Sequence, residues 1–272
     1  MAEKVLFVWS GGKDSAVALY ELQKTQRYDI SALLTTVTKD YERISMHGVS
    51  RILLEQQADS LGFPLEKIFI SKNSSREEYE TSMREVLTKY KEIGVSSVVF
   101  GDIFLESVKQ YREDNLKKVG MKGIFPLWGK DTVKLARTFI EVGFKAVVTC
   151  VDSHMLDKKF IGRIYDKQFL CELHPDTDPC GENGEFHSFV YDGPLFRERI
   201  SFTIGDIVLR DNRFYYCDLI PIQKDFIADF DNIGYSAHFV HPNPAMGETS
   251  YSPRTLSEIR WANNLNKRRI NK

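Results

Sequence analysis

Six consecutive residues near the start of the chain, Ser10-Gly11-Gly12-Lys13-Asp14-Ser15, bring together the groups that a polyphosphate needs. Two glycines let the backbone turn sharply and approach an anion with no Cβ in the way. Ser10 and Ser15 add hydroxyl donors, Lys13 adds a point charge, and Asp14 adds a carboxylate that could hold a magnesium ion. The apolar run Val5-Leu6-Phe7-Val8-Trp9 precedes this turn and a helical spacing from Lys13 to Thr25 follows it. The turn therefore falls at the carboxyl end of a strand and the start of a helix, where free N–H groups and the positive dipole end favour an anion. A bare Gly-Gly turn more often serves geometry alone. With the strand, the lysine, the aspartate and both serines, it points to pyrophosphate. Neither Gly-x-x-x-x-Gly-Lys-Ser/Thr nor Gly-x-Gly-x-x-Gly occurs, which argues against a Walker-type NTPase and a dinucleotide enzyme.

Other chemistry-bearing residues are scattered. Glu182 and Glu185 sit in Gly181-Glu182-Asn183-Gly184-Glu185-Phe186, as candidates to bind an amine, orient substrate or take a proton from ammonium. The plainer alternative is a glycine-bracketed turn with two solvated glutamates. Cys180 beside them lacks a partner cysteine or base in sequence and reads first as a small buried hydrophobe. His47, at the start of the second helix, is weighed as a neighbour of adenine or the α-phosphate against a structural cap-adjacent role. Thr35, Thr36 and Val37 end the second strand, where backbone atoms would receive a base. Tyr111 and Arg112 are substrate-contact candidates, arginine being suited to bidentate carboxylate binding. Phe125, Leu127 and Trp128 read as packing.

The elements that must position these residues follow from periodicity. Strands are expected at 5–9, 30–37, 67–71, 97–100 and 145–151. Helices are expected at 13–25, 49–61, 75–93, 107–119 and 132–142, with a capping box at Ser74/Glu77 or Ser75/Glu78 and Gly62 and Gly94 at helix ends. Strands alternating with helices predict an α/β fold, a doubly wound parallel five-stranded sheet of Rossmann-like type. Beyond residue 155 the β-prone runs 186–191, 200–209 and 214–220 predict a smaller C-terminal α+β domain. The expected division is 1–155 for nucleotide binding, 156–222 for substrate, and 223–272 as an extension ending in a polar helix near 255–265.

With 42% hydrophobic and 28% charged residues, the composition is that of an ordinary soluble globular protein. The formal net charge of -1 gives no global field for nucleic acid or an anionic membrane, so nucleic acid is not an expected partner. No apolar run approaches a membrane span, and the start lacks a signal peptide's apolar stretch. Four spaced cysteines without a Cys-x-x-Cys pair argue against a metal ribbon or a disulfide scaffold and make a reducing cytoplasm the default. A homodimer is compatible with all of this.

The Ser-Gly-Gly-x-Asp-Ser turn resembles that of the ATP pyrophosphatase (PP-loop) superfamily, which implies cleavage of ATP to AMP and pyrophosphate. Gly101-Asp102-Ile103, Tyr111-Arg112, Phe125-Pro126-Leu127-Trp128 and the run from Asp178 to His187 narrow this. Together they are similar to the diphthine–ammonia ligase family and its bacterial ATP-binding relatives of adenine nucleotide α-hydrolase type, over residues 4–220. The resemblance implies adenylation of a carboxylic acid, then amide formation with ammonia, with ATP and magnesium. On that reading Ser10, Gly11, Gly12, Lys13, Asp14, Ser15, Thr36, His47 and Gly101 would bind ATP, with Asp14 on the metal. Lys13, Asp14, Glu182 and Glu185 would be catalytic, and Asp102, Tyr111, Arg112, Glu182, Asn183 and Glu185 would face the substrate. The chain departs from the ligase pattern at Asp102-Ile103-Phe104-Leu105-Glu106 and at His187, which leaves the acid's identity open. Transfer-RNA modification on the same phosphate loop and a non-catalytic ATP-binding module are the competing functions.

Overall fold

The computed structural model describes residues 2–44 and 48–222. His47 and the expected extension at 223–272, with its polar helix, lie outside the described residues. In chain order the elements begin with β1 (Glu3–Val8), α1 (Lys13–Lys24), β2 (Tyr28–Thr38), β3 (Arg43–Ile44) and α2 (Arg51–Leu61). Next come β4 (Leu65–Ile70), α3 (Arg76–Glu92), β5 (Ser97–Val99), α4 (Glu106–Lys118), β6 (Lys122–Ile124) and α5 (Thr132–Glu141). The second part holds β7 (Lys145–Asp152), α6 (Lys167–Glu172), β8 (Phe186–Asp192), β9 (Phe202–Arg210) and β10 (Phe214–Pro221).

Local sequence explains most boundaries. Ser75 and Glu78 form the reciprocal capping box that starts α3, and Gly62 ends α2 in the left-handed region at φ +77°. Five parallel strands run β4-β2-β1-β5-β6, with two-residue β3 added antiparallel to β2. The chain goes outward from β1 on one side and then crosses to the other at β5. The topological switch point, where open α/β sheets bind ligands, therefore lies between the carboxyl ends of β1 and β5.

The expected fifth parallel strand is corrected. Residues 145–152 do form a strand, but it pairs antiparallel with β8 and β10 in a separate sheet, β8-β7-β10-β9. The fifth place in the parallel sheet belongs to β6, three residues that include Gly123. An apolar run such as Ala146–Val151 suits any strand covered on both faces, so its pattern does not say which sheet takes it. The second sheet consequently starts at Lys145, ahead of the expected division at 155.

One large apolar core joins the two sheets. Val5, Phe7 and Trp9, α1 residues Ala16 and Leu19, and Leu53 and Leu54 of α2 share it with Val147, Phe186 and Phe189 of the second sheet. A smaller core, with Leu6, Leu34, Val98, Leu87 and Leu116, lies under α3 and α4 on the opposite face of the parallel sheet. Among the described residues no helix is long and apolar enough to cross a membrane.

Candidate active site

The phosphate turn begins where β1 stops. Gly11 sits at φ +77°, where a Cβ would be strained and would also meet Gln57 Oε1 at 2.8 Å. Gly12 is the N-cap of α1 in extended conformation, and no side chain caps that helix. Four other α-helices have a side-chain N-cap, from Ser50, Ser75, Asp131 and Asp166. In the α1 turn the Gly12 and Lys13 amides donate only to hydroxyls, Ser10 Oγ at 3.3 Å and Ser188 Oγ at 3.2 Å. Such long bonds to rotatable groups leave the amides able to turn to an anion.

Three segments converge on this turn. Gly101, just past β5, lies so close that a Cβ on it would stand 3.2 Å from the Asp14 carbonyl carbon and the Ser15 nitrogen. The edge strand β8 reaches it from the second sheet, Val190 N–H donating to the Gly11 carbonyl at 2.9 Å. Gln57 of α2, fully buried, donates its amide to both the Gly11 carbonyl (3.0 Å) and the Val190 carbonyl, and accepts from the Trp9 indole at 2.9 Å. Sequence reasoning missed Gln57 and Ser188. A polar residue on the apolar face of a helix, between Leu54 and Ala58, was the available signal for Gln57. Nothing in the sequence marks Ser188.

The resulting cleft has a volume of about 230 Å³ and is lined by Ser10, Gly12, Lys13, Asp14 and Ser15 on one side. Gly101, Asp102 and Arg112 form a second wall, and Gly181, Glu182, Gly184, Phe186, His187 and Ser188 a third. Seven of the expected site positions in the turn and after β5 thus meet the expected glutamate loop across one opening.

The charges are not disposed as free side chains. The Lys13 ammonium, 4% exposed, bonds Asp14 Oδ2 at 2.8 Å and the Cys180 carbonyl, and lies 5.1 Å from the centre of the Phe186 ring. Burial is the largest influence and opposes its charge, but the Asp14 charge and hydrogen bond and the other negative groups nearby together outweigh it and hold its pKa above the ordinary lysine value. Burial pushes the Asp14 carboxyl up, against the pull of Lys13. Arg112, expected to grip a substrate carboxylate, is instead held by Asp102, with Nη2 at 3.0 Å from Oδ1 and Nε at 2.6 Å from Oδ2. Tyr111 donates to Glu80 at 3.2 Å and is not part of the cleft lining. Thr36 lies within β2, paired with Ile68, and is likewise outside that lining.

The two expected glutamates part company. Glu182 faces the cleft; its Oε1 accepts the Ile103 N–H at 2.8 Å. Burial, and then the neighbouring Asp14 charge, push its carboxyl up to about 7 although the Ile103 amide favours the charged form. Glu185 is 2% exposed and turned inward, accepting from Asp178 N–H at 3.1 Å and Asn183 Nδ2 at 3.0 Å, so Asn183 and Glu185 brace the loop that carries Glu182. The Cys180 thiol is buried, and burial pushes its pKa up, which keeps it protonated and unreactive.

Beside the cleft, and sharing Val8, Phe100 and Arg112 with it, is a small second pocket of about 50 Å³ between α3 and α4. Met83, Leu87, Val98 and Leu116 line its floor, and Tyr79, Glu80 and Arg84 belong to its rim.

The sheet order, the uncapped glycine turn at the switch point and the acidic loop over it define an α/β protein with an anion-ready cleft at its topological switch point. The chain belongs to the diphthamide synthase family: the model of the diphthamide synthase N-terminal domain matches residues 3–123 and that of its C-terminal domain residues 131–219. The chain is similar to the diphthine–ammonia ligase of Schizosaccharomyces pombe, 28% identical over 75% of this chain but only 37% of that protein's length. It is 24% identical to the diphthine–ammonia ligase of Homo sapiens over 76% of this chain and 85% of that one, and similarly to that of Danio rerio (24%, 77% and 90%). A solved structure, a predicted subunit of tRNA methyltransferase from Methanocaldococcus jannaschii, matches at 20% identity and a TM-score of 0.36, covering 54% of this chain and 80% of that one.

Replacing Gln57 by leucine removes both amide bonds and leaves the Trp9 indole without its acceptor. Stability in urea should fall by about 1–3 kcal/mol, with weaker nucleotide binding in a titration of the same sample. A second expectation concerns pH. The folded state holds the Glu182 proton up to about 7, against an ordinary carboxyl value of 4.5. Its contribution to stability is therefore present below 4.5 and lost as pH rises through about 7. Glu182→Gln, which keeps an acceptor for Ile103, should flatten that part of the stability–pH curve measured by thermal melts.

Proposed function

We propose that this protein is an ATP-dependent acid–ammonia ligase that forms AMP, with a diphthine-like, protein-borne carboxylate as the acid. The observation that carries this reading is the glycine-capped N-terminus of α1, whose first amides meet only the Ser10 and Ser188 hydroxyls, facing Glu182 and Asp102 across a single cleft. The names of the human and fission yeast relatives supply the acid and the amine. The four cysteines, all free, fit action in a reducing cytoplasm.

In this reaction a carboxylate oxygen attacks the α-phosphorus of ATP, and the bond to the bridging oxygen breaks as pyrophosphate leaves. Ammonia then attacks the acyl carbon; AMP departs with the oxygen that was activated, and one proton is lost. The protein's share is positioning and charge stabilisation. The Gly12 and Lys13 amides and the Ser10 and Ser15 hydroxyls take the leaving pyrophosphate. Lys13 neutralises Asp14 and ties the turn to the Cys180 carbonyl, so it supports the phosphate site from behind. Glu182, poised near neutrality, accepts a proton from ammonium and releases it to solvent.

The chemistry of the cleft fits a magnesium ion. Asp14, Asp102 and Glu182 place carboxyl oxygens around the space a polyphosphate would fill, and Lys13 and Arg112 already balance the first two. No cluster of three or more metal-ligating side chains is formed among the described residues. Asp14 is the carboxylate that would hold it, and the ion would screen the phosphate oxygens.

The test is acid-dependent release of pyrophosphate from ATP with magnesium, using elongation factor that carries diphthine as the acid. Asp14→Asn should lower the rate by about 100-fold or more, the order expected when a charge-stabilising group is lost. No release by the wild-type chain with any acid would sink the ligase reading. If Glu182 is the base, kcat/KM rises with pH through about 7, and Glu182→Gln removes that limb while lowering kcat by about 100-fold or more. A limb that persists in Glu182→Gln assigns the proton to another group.

A further inference from the structure

The second sheet ends in an edge that the ligase chemistry does not use. In the order β8-β7-β10-β9, the β8 edge is covered by the phosphate turn through Val190 and Gly11, whereas β9 pairs only with β10 among the described residues. β9 reads Phe202-Thr203-Ile204-Gly205-Asp206-Ile207-Val208-Leu209-Arg210. Ile204, Ile207, Val208 and Leu209 are 39% to 53% exposed, and Ile220 of the adjoining β10 is 50% exposed. Edge strands ordinarily carry charge or proline, or are covered. Here an uncharged run of three large β-formers stands on the edge with side chains on both faces.

We propose that β9 is the interface with a second copy of this chain, paired antiparallel about a two-fold axis through Val208. The sequence of the strand is self-complementary in that register. A two-fold at Val208 sets Ile207 opposite Leu209 of the second copy and Val208 opposite itself. Asp206 then falls opposite Arg210 of the second copy, and by symmetry the same pair recurs on the other side. Directly opposed residues lie on one face of a sheet, so the apolar pairs and the ion pairs each meet their own kind. Moving the axis by one residue, to Ile207, would put Asp206 against Val208 and lose both charge pairs. Arg210 is already on the Val208 face, its guanidinium 5.9 Å from the Tyr41 ring centre. The pairing joins two four-stranded sheets into one of eight strands and satisfies the free backbone edge.

The interface is remote from the charged cleft and does not depend on the ligase reading. Its test is the mass of the full chain by analytical ultracentrifugation over a concentration series, with circular dichroism as the control for folding. The expected result is a dimer that Asp206→Arg or Arg210→Asp alone weakens by about tenfold or more, because like charges then face each other. The double variant Asp206→Arg/Arg210→Asp restores association, since the pairs re-form with exchanged signs. Ile207→Lys gives a folded monomer. A wild-type monomer throughout overturns the proposal and leaves β9 to residues 223–272 or to another protein. A dimer indifferent to the single charge reversals, or one that the double variant fails to recover, overturns it equally.

Discussion

The carbonyl of Gly11 is the joint of this molecule. It sits at the end of β1 and accepts from Val190 of the second sheet and from Gln57 of α2. A loop that must offer amides to an anion has to turn its carbonyls elsewhere, and a buried carbonyl without a donor costs about 1–3 kcal/mol. The second sheet and the buried amide of Gln57 supply those donors. The turn expected to take phosphate is thus braced by both halves of the chain, which also share the large core.

The electrostatics of the cleft extend that constraint. Lys13 comes from the turn, yet its charge is bound to Asp14 and to the Cys180 carbonyl of the glutamate loop. It latches that loop over the turn and brings Glu182 to the carboxylates of Asp14 and Asp102. Crowding, burial and a single supporting amide from Ile103 set Glu182 near neutrality. Glu185, three residues on, is buried against Asp178 and Asn183 and serves the shape of the loop. Two carboxylates of one short motif thus have separate duties, assigned by which of them faces solvent.

Arg112 and Asp102 show the same economy. Their bidentate pair ties α4 to the segment after β5, and Arg112 also lies over the Phe100 ring at 4.5 Å. Burial is the largest influence and opposes the arginine's charge, and the charge and hydrogen bond of Asp102 with the acidic groups nearby together outweigh it. Arg112 lines both the cleft and the small pocket between α3 and α4, whereas Asp102 lines the cleft alone.

The residues of the turn, the α/β class, the helix ends at Gly62 and Ser75, and the strands of the second sheet were legible in the chain alone. Each is dictated by a local rule: positive φ for glycine, capping stereochemistry, or a period of two or of about four. Residues 145–152 and 122–124 were not placed correctly from the sequence, because a strand's pattern records burial and not partnership. The same limit hid Gln57 and Ser188, whose value lies in groups 46 to 175 residues away along the chain. It also hid the pairing of Arg112, a residue of the cleft lining, with the protein's own Asp102. Local chemistry determined which residues could serve a phosphate; only packing decided which carbonyls, amides and charges were left over to do it.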